Sequence, residues 1–137
     1  MRVLLQAFAV AATMGLVAAD PAIGQETHVV RLIANVSKDE YRFEPAAVTV
    51  RPNDVVVFRV TSGAPHSIVF EGAGLSPDVR EALDAAMPDR SAELSSPLLT
   101  ATGKEYRLLV PRVPAGAYPF YCLPHRAYDM RGTMTIR

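Results

Sequence analysis

The 137-residue chain has no tryptophan, a single cysteine (Cys122) and three histidines (His28, His66 and His125). A lone cysteine excludes an internal disulfide framework, and three histidines are too few for a His-rich zinc cluster. Charge of either sign is missing in excess: fourteen Lys plus Arg balance fourteen Asp plus Glu. That balance argues against a general nucleic-acid binder and against a polybasic membrane anchor. No internal repeat, low-complexity segment or nucleophile–base pair stands out, so no enzyme is expected. What the chain does have is 50% hydrophobic residues and 20% charged ones, which excludes a disordered or collagen-like polymer. Its length fits one domain.

Residues 1–24 read as a segment outside the fold. Arg2 precedes an apolar run from Val3 to Ala19, and small residues follow, as in a secretory signal peptide. Cleavage after Gly24 satisfies the small-x-small rule through Ala22 and Gly24. An uncleaved anchor is the alternative, since a membrane helix needs about 17–25 apolar residues. The expectation is a cleaved leader over 1–24, an exported domain over 25–137 in the periplasm or beyond, and no membrane contact after cleavage. Losing Arg2 and Asp20 leaves the mature chain neutral. A free thiol in an oxidising compartment is vulnerable. Cys122 therefore needs explaining as a buried inert residue, a reactive thiol or a metal-bound thiolate.

The mature chain alternates short β-branched or aromatic runs with Pro/Gly turns. Strands are expected over 28–36, 41–43, 48–50, 55–61, 66–70, 106–110, 118–122 and 132–136. One helix interrupts them. Ser76 can cap it, Pro77 opens it, and Val79, Leu83 and Met87 recur every fourth residue on one face before Pro88 ends it. Residues 88–103 read as loop. The expected fold is an all-β sandwich with one short helix-containing flap between the His66 strand and the Cys122 strand.

Chemistry concentrates in Tyr121-Cys122-Leu123-Pro124-His125-Arg126-Ala127-Tyr128-Asp129-Met130. Cys-x2-His-x4-Met places a thiolate, an imidazole and a thioether in one loop, and such soft or borderline donors suit copper better than magnesium or calcium. Closing so short a loop costs little entropy. The set is one donor short of the His2Cys-plus-Met arrangement of electron-transfer sites. His66, after a Pro-containing loop at a strand start, can supply it. A trigonal His2Cys plane with a long axial Met suits neither copper oxidation state fully, so little has to move when one electron comes or goes. Four protein donors also leave no open position for a substrate, unlike a catalytic metal site. Met134 reads as core, and His28 as a surface residue.

Gly63-Ala64-Pro65-His66-Ser67, together with Tyr121-Cys122-x2-His125-x4-Met130 and Gly132-Thr133-Met134-Thr135-Ile136, resembles the small blue (type 1) copper proteins, the plastocyanin-like cupredoxins. Phe43-Glu44-Pro45 and the strands around Val48–Val50 and Val55–Phe58 are similar to the family's early strands. The resemblance implies a Greek-key β-sandwich binding one copper ion through His66, Cys122, His125 and Met130, and carrying single electrons between redox partners. It also implies a second electron path through Tyr121. Three features depart from the pattern. Residues 72–103 look like an added flap, Ser67 replaces an Asn that braces the ligand loops and is expected to brace less well, and Tyr128 stands where small residues are usual.

A partner is expected to dock near His125, on Pro65, Leu123, Pro124 and Ala127, with an acidic rim facing Arg126 and Arg131. A monomer is expected. Two rivals remain at this level: a periplasmic copper-binding protein for metal delivery or storage, and a metal-free Ig-like binding module.

Overall fold

A computed structural model describes residues 24–137. The leader expected over 1–24 lies outside the described residues apart from Gly24. Eight strands and one α-helix follow one another as β1 (Thr27–Asn35), β2 (Glu40–Glu44), β3 (Ala47–Val50), β4 (Val55–Val60), β5 (Val69–Phe70), α1 (Pro77–Ala86), β6 (Glu105–Leu109), β7 (Gly116–Tyr121) and β8 (Arg131–Ile136). They form two four-stranded sheets, ordered β2-β1-β4-β6 and β3-β8-β7-β5. β1 pairs in parallel with β4, and β3 with β8, while the remaining pairs are antiparallel. The chain crosses between the sheets at every step from β2 to β7, which makes the expected sandwich.

Alternation decides the faces. Val30, Leu32 and Ala34 of β1 are buried while Arg31 is exposed, and Tyr106 and Leu108 of β6 are buried between exposed neighbours. The centre is aromatic. Phe43, Phe58 and Phe70, drawn from three strands, surround the Phe120 ring at centroid distances of 4.8, 5.4 and 5.6 Å, all edge-on. Edge-to-face rings place the positive rim of one on the negative face of the next, worth about 0.5–1.5 kcal/mol per pair beyond burial. Gly132 makes room for this cluster: a Cβ there would lie 2.5 Å from the Phe120 ring.

The helix forms as its sequence dictates. Ser76 Oγ accepts from the Val79 amide, Pro77 stands in the first turn, and the Leu83 and Met87 side chains are buried with Val79 packed beside them. The segment after it is more ordered than a plain loop. Leu94, Ser95, Ser96 and Leu99 are buried, and Leu94, Ser96 and Leu99 are hydrogen-bonded to the 66–70 segment. The 66–70 segment itself differs from a simple strand, because only Val69–Phe70 is regular and His66 forms an isolated bridge to Leu99. Among the described residues no helix is long and apolar enough to cross a membrane.

The far end of the sandwich is closed by Asp54, 4% exposed. Its carboxylate accepts from the Glu26 amide at 3.0 Å, the Arg51 amide at 2.9 Å and His28 Nε2–H at 3.1 Å. This fastens the start of β1 to the β3–β4 turn. Asn53, at φ 73, supplies the left-handed residue of that turn.

Candidate metal centre

His66 and Cys122 are fully buried and His125 is half-buried, and the three meet at one end of the sandwich. Cys122 follows β7 and faces both rings, its Sγ lying 3.6 Å from His66 Nδ1 and 3.5 Å from His125 Nδ1. Donors that share one ion at about 2.0–2.3 Å in a trigonal plane stand about 3.7 Å apart. The spacing between the sulfur and each imidazole nitrogen therefore fits a common metal ion. The two imidazole centroids are 4.9 Å apart.

The loop before His66 fixes which nitrogen is free. Ser62 is pinned to the end of β1, with its hydroxyl donating to the Ala34 carbonyl at 3.2 Å and its carbonyl accepting from the Ala34 amide at 3.3 Å. Gly63 permits that close approach: it sits at φ 65, and a Cβ would fall 2.3 Å from the Ala34 oxygen. The same Ser62 carbonyl lies 2.7 Å from His66 Nε2. A carbonyl can only accept, so Nε2 carries the proton and the Nδ1 lone pair points at the sulfur.

The ligand loop is equally tied. The Cys122 amide donates to the Met130 carbonyl at 3.0 Å, the His125 amide to the Cys122 carbonyl at 3.2 Å, and the Met130 amide to the His125 carbonyl at 3.4 Å. A single 3-10 turn, Arg126–Tyr128, carries the chain back, ended by Asp129 at φ 56. Met130 is fully buried beneath it. Ser67, expected to brace less well than a longer amide, does brace: its Oγ accepts from the Leu123 amide at 3.1 Å. Ser67 precedes β5 and Leu123 follows β7, so this bond joins the two ligand loops directly.

Electrostatics leave the donors neutral without a metal. Burial pushes the Cys122 thiol up, opposed by the backbone amides of Ser67 and His125. Burial pushes His66 down; the Ser62 carbonyl opposes this and the charge of His125 adds to it. Burial likewise lowers His125. A buried neutral set of this kind has no charge to stabilise until a cation supplies it.

A second group of potential donors, Glu26, His28 and Asp54, lies at the opposite end of β4. It differs in kind, since its one buried member, Asp54, already accepts three hydrogen bonds that close the β3–β4 turn.

Sequence reasoning overlooked Tyr41. Its ring stacks on Tyr128 at 4.0 Å and 12°, and lies 5.3 Å from the His125 ring. Tyr41 on β2 and Tyr128 in the turn are 87 positions apart along the chain, and no local pattern joins them. Tyr121, half-buried on β7, lies beneath Arg126, whose guanidinium is 4.6 Å from the ring centroid.

Residues 30–137 match the family of copper binding proteins described as plastocyanin/azurin, and the match runs across the 72–103 flap. The plastocyanin of Nostoc punctiforme is 31% identical over 123 residues, 85% of this chain and 78% of that one. The plastocyanin of Rumex obtusifolius is 34% identical over 95 residues, 69% and 87%. Among solved structures, a mutant plastocyanin of fern superposes with a TM-score of 0.63 at 31% identity, covering 80% of this chain and 99% of that one. With its sandwich and its soft-donor cluster, this chain belongs to the plastocyanin/azurin family of copper binding proteins, as a one-copper electron-transfer protein and not an enzyme.

Proposed function

We propose that the chain is an exported electron carrier whose copper is held by His66, Cys122, His125 and Met130, and which exchanges single electrons with redox proteins docking around His125. The observation that carries the ligand assignment is the convergence of both Nδ1 atoms on the Cys122 sulfur at 3.5 and 3.6 Å. Copper, when bound, supplies the one-electron couple. The protein holds the donors still. His66 is locked by Ser62, the Cys122 loop is laced by its own backbone bonds and by Ser67, and a donor set that cannot move keeps reorganisation small.

The port follows from exposure. His125 is the one donor of the three that is not fully buried, and Leu123 beside it is 55% exposed. Leu123, Pro124, Ala127 and Pro65 supply an apolar patch, and Tyr128 with Tyr41 extends it toward β2. Weak net charge leaves close apolar contact as the main docking force. Of the two arginines expected to face an acidic rim, Arg131 is committed to Glu71 and Asp129. Arg126 lies over Tyr121 and, among the described residues, makes no ion pair, so it is the one left to meet a partner's carboxylate. The leader over 1–24 with a domain over 25–137, and a monomeric exported form, complete the reading.

The test is the visible spectrum of the mature protein after adding Cu(II). A short copper–thiolate bond gives an intense charge-transfer band, and Cys122→Ser removes it while circular dichroism of the sandwich is retained. A coloured Cys122→Ser protein would sink the assignment. Metal delivery, the rival use of the same donors, predicts rapid copper loss to a chelator, whereas a carrier retains copper over many redox cycles.

A further inference from the structure

The flap segment 94–99 runs alongside 66–70 as an improvised edge strand, with one flaw in its ladder. His66 bridges Leu99, its amide donating to the Leu99 carbonyl at 3.1 Å and its carbonyl accepting the Leu99 amide at 2.8 Å. Farther along, Val69 bridges Ser95. Between the two bridges, residues 67–68 on one side thus face 96–98 on the other, so the flap carries one extra residue, a bulge. Pro97 stands in the bulge and has no N–H to give. The Ile68 amide lies opposite this break, where no backbone carbonyl meets it.

Ser96 closes the gap. Its Oγ accepts from the Ile68 amide at 2.9 Å and donates to the Pro97 carbonyl at 2.9 Å, while its own amide donates to the Ile68 carbonyl at 2.9 Å. Ser96 is 1% exposed, so no water can substitute for the hydroxyl. The residues it holds are the ones that carry the metal centre. Ile68 is two positions from His66 and adjacent to Ser67, and Ser67 reaches across to the Cys122 loop through its hydroxyl, which accepts from the Leu123 amide.

We infer that Ser96 is a positioning residue for the copper site: its hydroxyl replaces the missing rung of the 66–70 ladder and thereby sets the placement of His66 and Ser67 against Cys122. This rests on the ligand assignment proposed above. The flap is then part of the centre's rigid frame, although none of its residues is a donor. Ser91 supports the clamp from outside, its hydroxyl donating to the Ser96 carbonyl at 2.8 Å.

The test compares Ser96→Ala with Ser96→Thr, which keeps the hydroxyl. In the apo-protein, Ser96→Ala is expected to speed hydrogen exchange of the Ile68 amide about tenfold, the equivalent of one lost hydrogen bond. In the copper form it is expected to shift and broaden the visible band and to speed copper removal by a chelator about tenfold, and Ser96→Thr restores all three. An Ile68 amide that exchanges as in wild type overturns the proposal, as does faster exchange with an unmoved band and unmoved copper release. Should Ser96→Ala fail to fold, Ser91→Ala carries the same readings with smaller changes of the same sign, and a wild-type band there is equally fatal. Absence of any band in the wild-type protein would instead overturn the ligand assignment first, and this inference with it.

Discussion

The two ends of β4 hold two clusters of similar composition and opposite use. At the start of the strand, His28 meets the Asp54 carboxylate, with Glu26 near; after its end, His66 and His125 meet the Cys122 sulfur. In the first cluster the donors satisfy one another. Asp54 accepts three hydrogen bonds, two from backbone amides, and its pKa shows this: burial pushes it up, but the Glu26 and Arg51 amides and His28 outweigh burial and hold it below the usual carboxylate range. In the second cluster only the outer nitrogen of His66 meets a backbone partner, and both Nδ1 atoms converge on a thiol that burial keeps neutral. A cluster of ligand-type residues therefore becomes a metal centre when its lone pairs are left over after local bonding, and a structural clip when they are used up.

The largest expected effect separates the clusters by histidine. His66→Ala removes the visible Cu(II) band entirely, whereas His28→Ala leaves band and copper content unchanged; loss of the band in His28→Ala would erase the distinction. Next comes Asp54→Ala, which leaves two part-buried backbone amides without their acceptor and is expected to cost about 1–2 kcal/mol in denaturant unfolding of the apo-protein. Its spectrum stays that of wild type.

The same clip gives an acid dependence with a definite sign. Because the folded-state pKa of Asp54 is depressed, its contribution is present above the unfolded carboxylate pKa of about 3.9. It is lost as pH falls through the lower folded value. Unfolding measured from pH 6 downward should therefore show a steeper fall for wild type than for Asp54→Ala, and parallel curves would place the clip's energy elsewhere.

A smaller effect tests the role proposed for Met130. Met130→Leu keeps copper and raises the reduction potential on the order of 60 mV, a tenfold shift toward Cu(I). An unchanged potential would take Met130 out of the ligand set. Smallest is Leu123→Lys, which places a charge in the docking patch without removing a donor. Its spectrum is unchanged and its second-order rate with a redox partner falls by several-fold at high ionic strength, where charge steering is screened. A wild-type rate there would move the port to Tyr121.

Much of this architecture is legible in the sequence alone. The helix was marked by Ser76, Pro77 and the Val79–Leu83–Met87 spacing, and each of these does what its chemistry implies. Strand positions were marked by β-branched alternation, with ends off by a residue or two, as at Val36, which lies in a 3-10 turn. Where the reading departed from the structure, a long-range hydrogen bond decided. Residues 66–70 look like a plain strand, yet the bulge at Pro97 in the facing flap leaves only Val69–Phe70 regular. Ser67 is shorter than the Asn whose place it takes and is expected to brace less well, and it is the close approach of the loops that lets its hydroxyl reach the Leu123 amide.

By itself the sequence determined the chemistry of the site. Cys122, His125 and Met130 lie within one nine-residue loop, where covalent linkage alone keeps soft donors close, and alternation with Pro/Gly turns dictates a sandwich. Only the tertiary structure decided what those donors face. His66 arrives from 56 residues away with its Nδ1 turned inward by Ser62, Tyr41 arrives on β2 to stack with Tyr128, and Ser96 mends the ladder behind His66. Each of these depends on segments far apart along the chain being brought to one end. That approach is set by packing around Phe120, which no local stretch of sequence encodes.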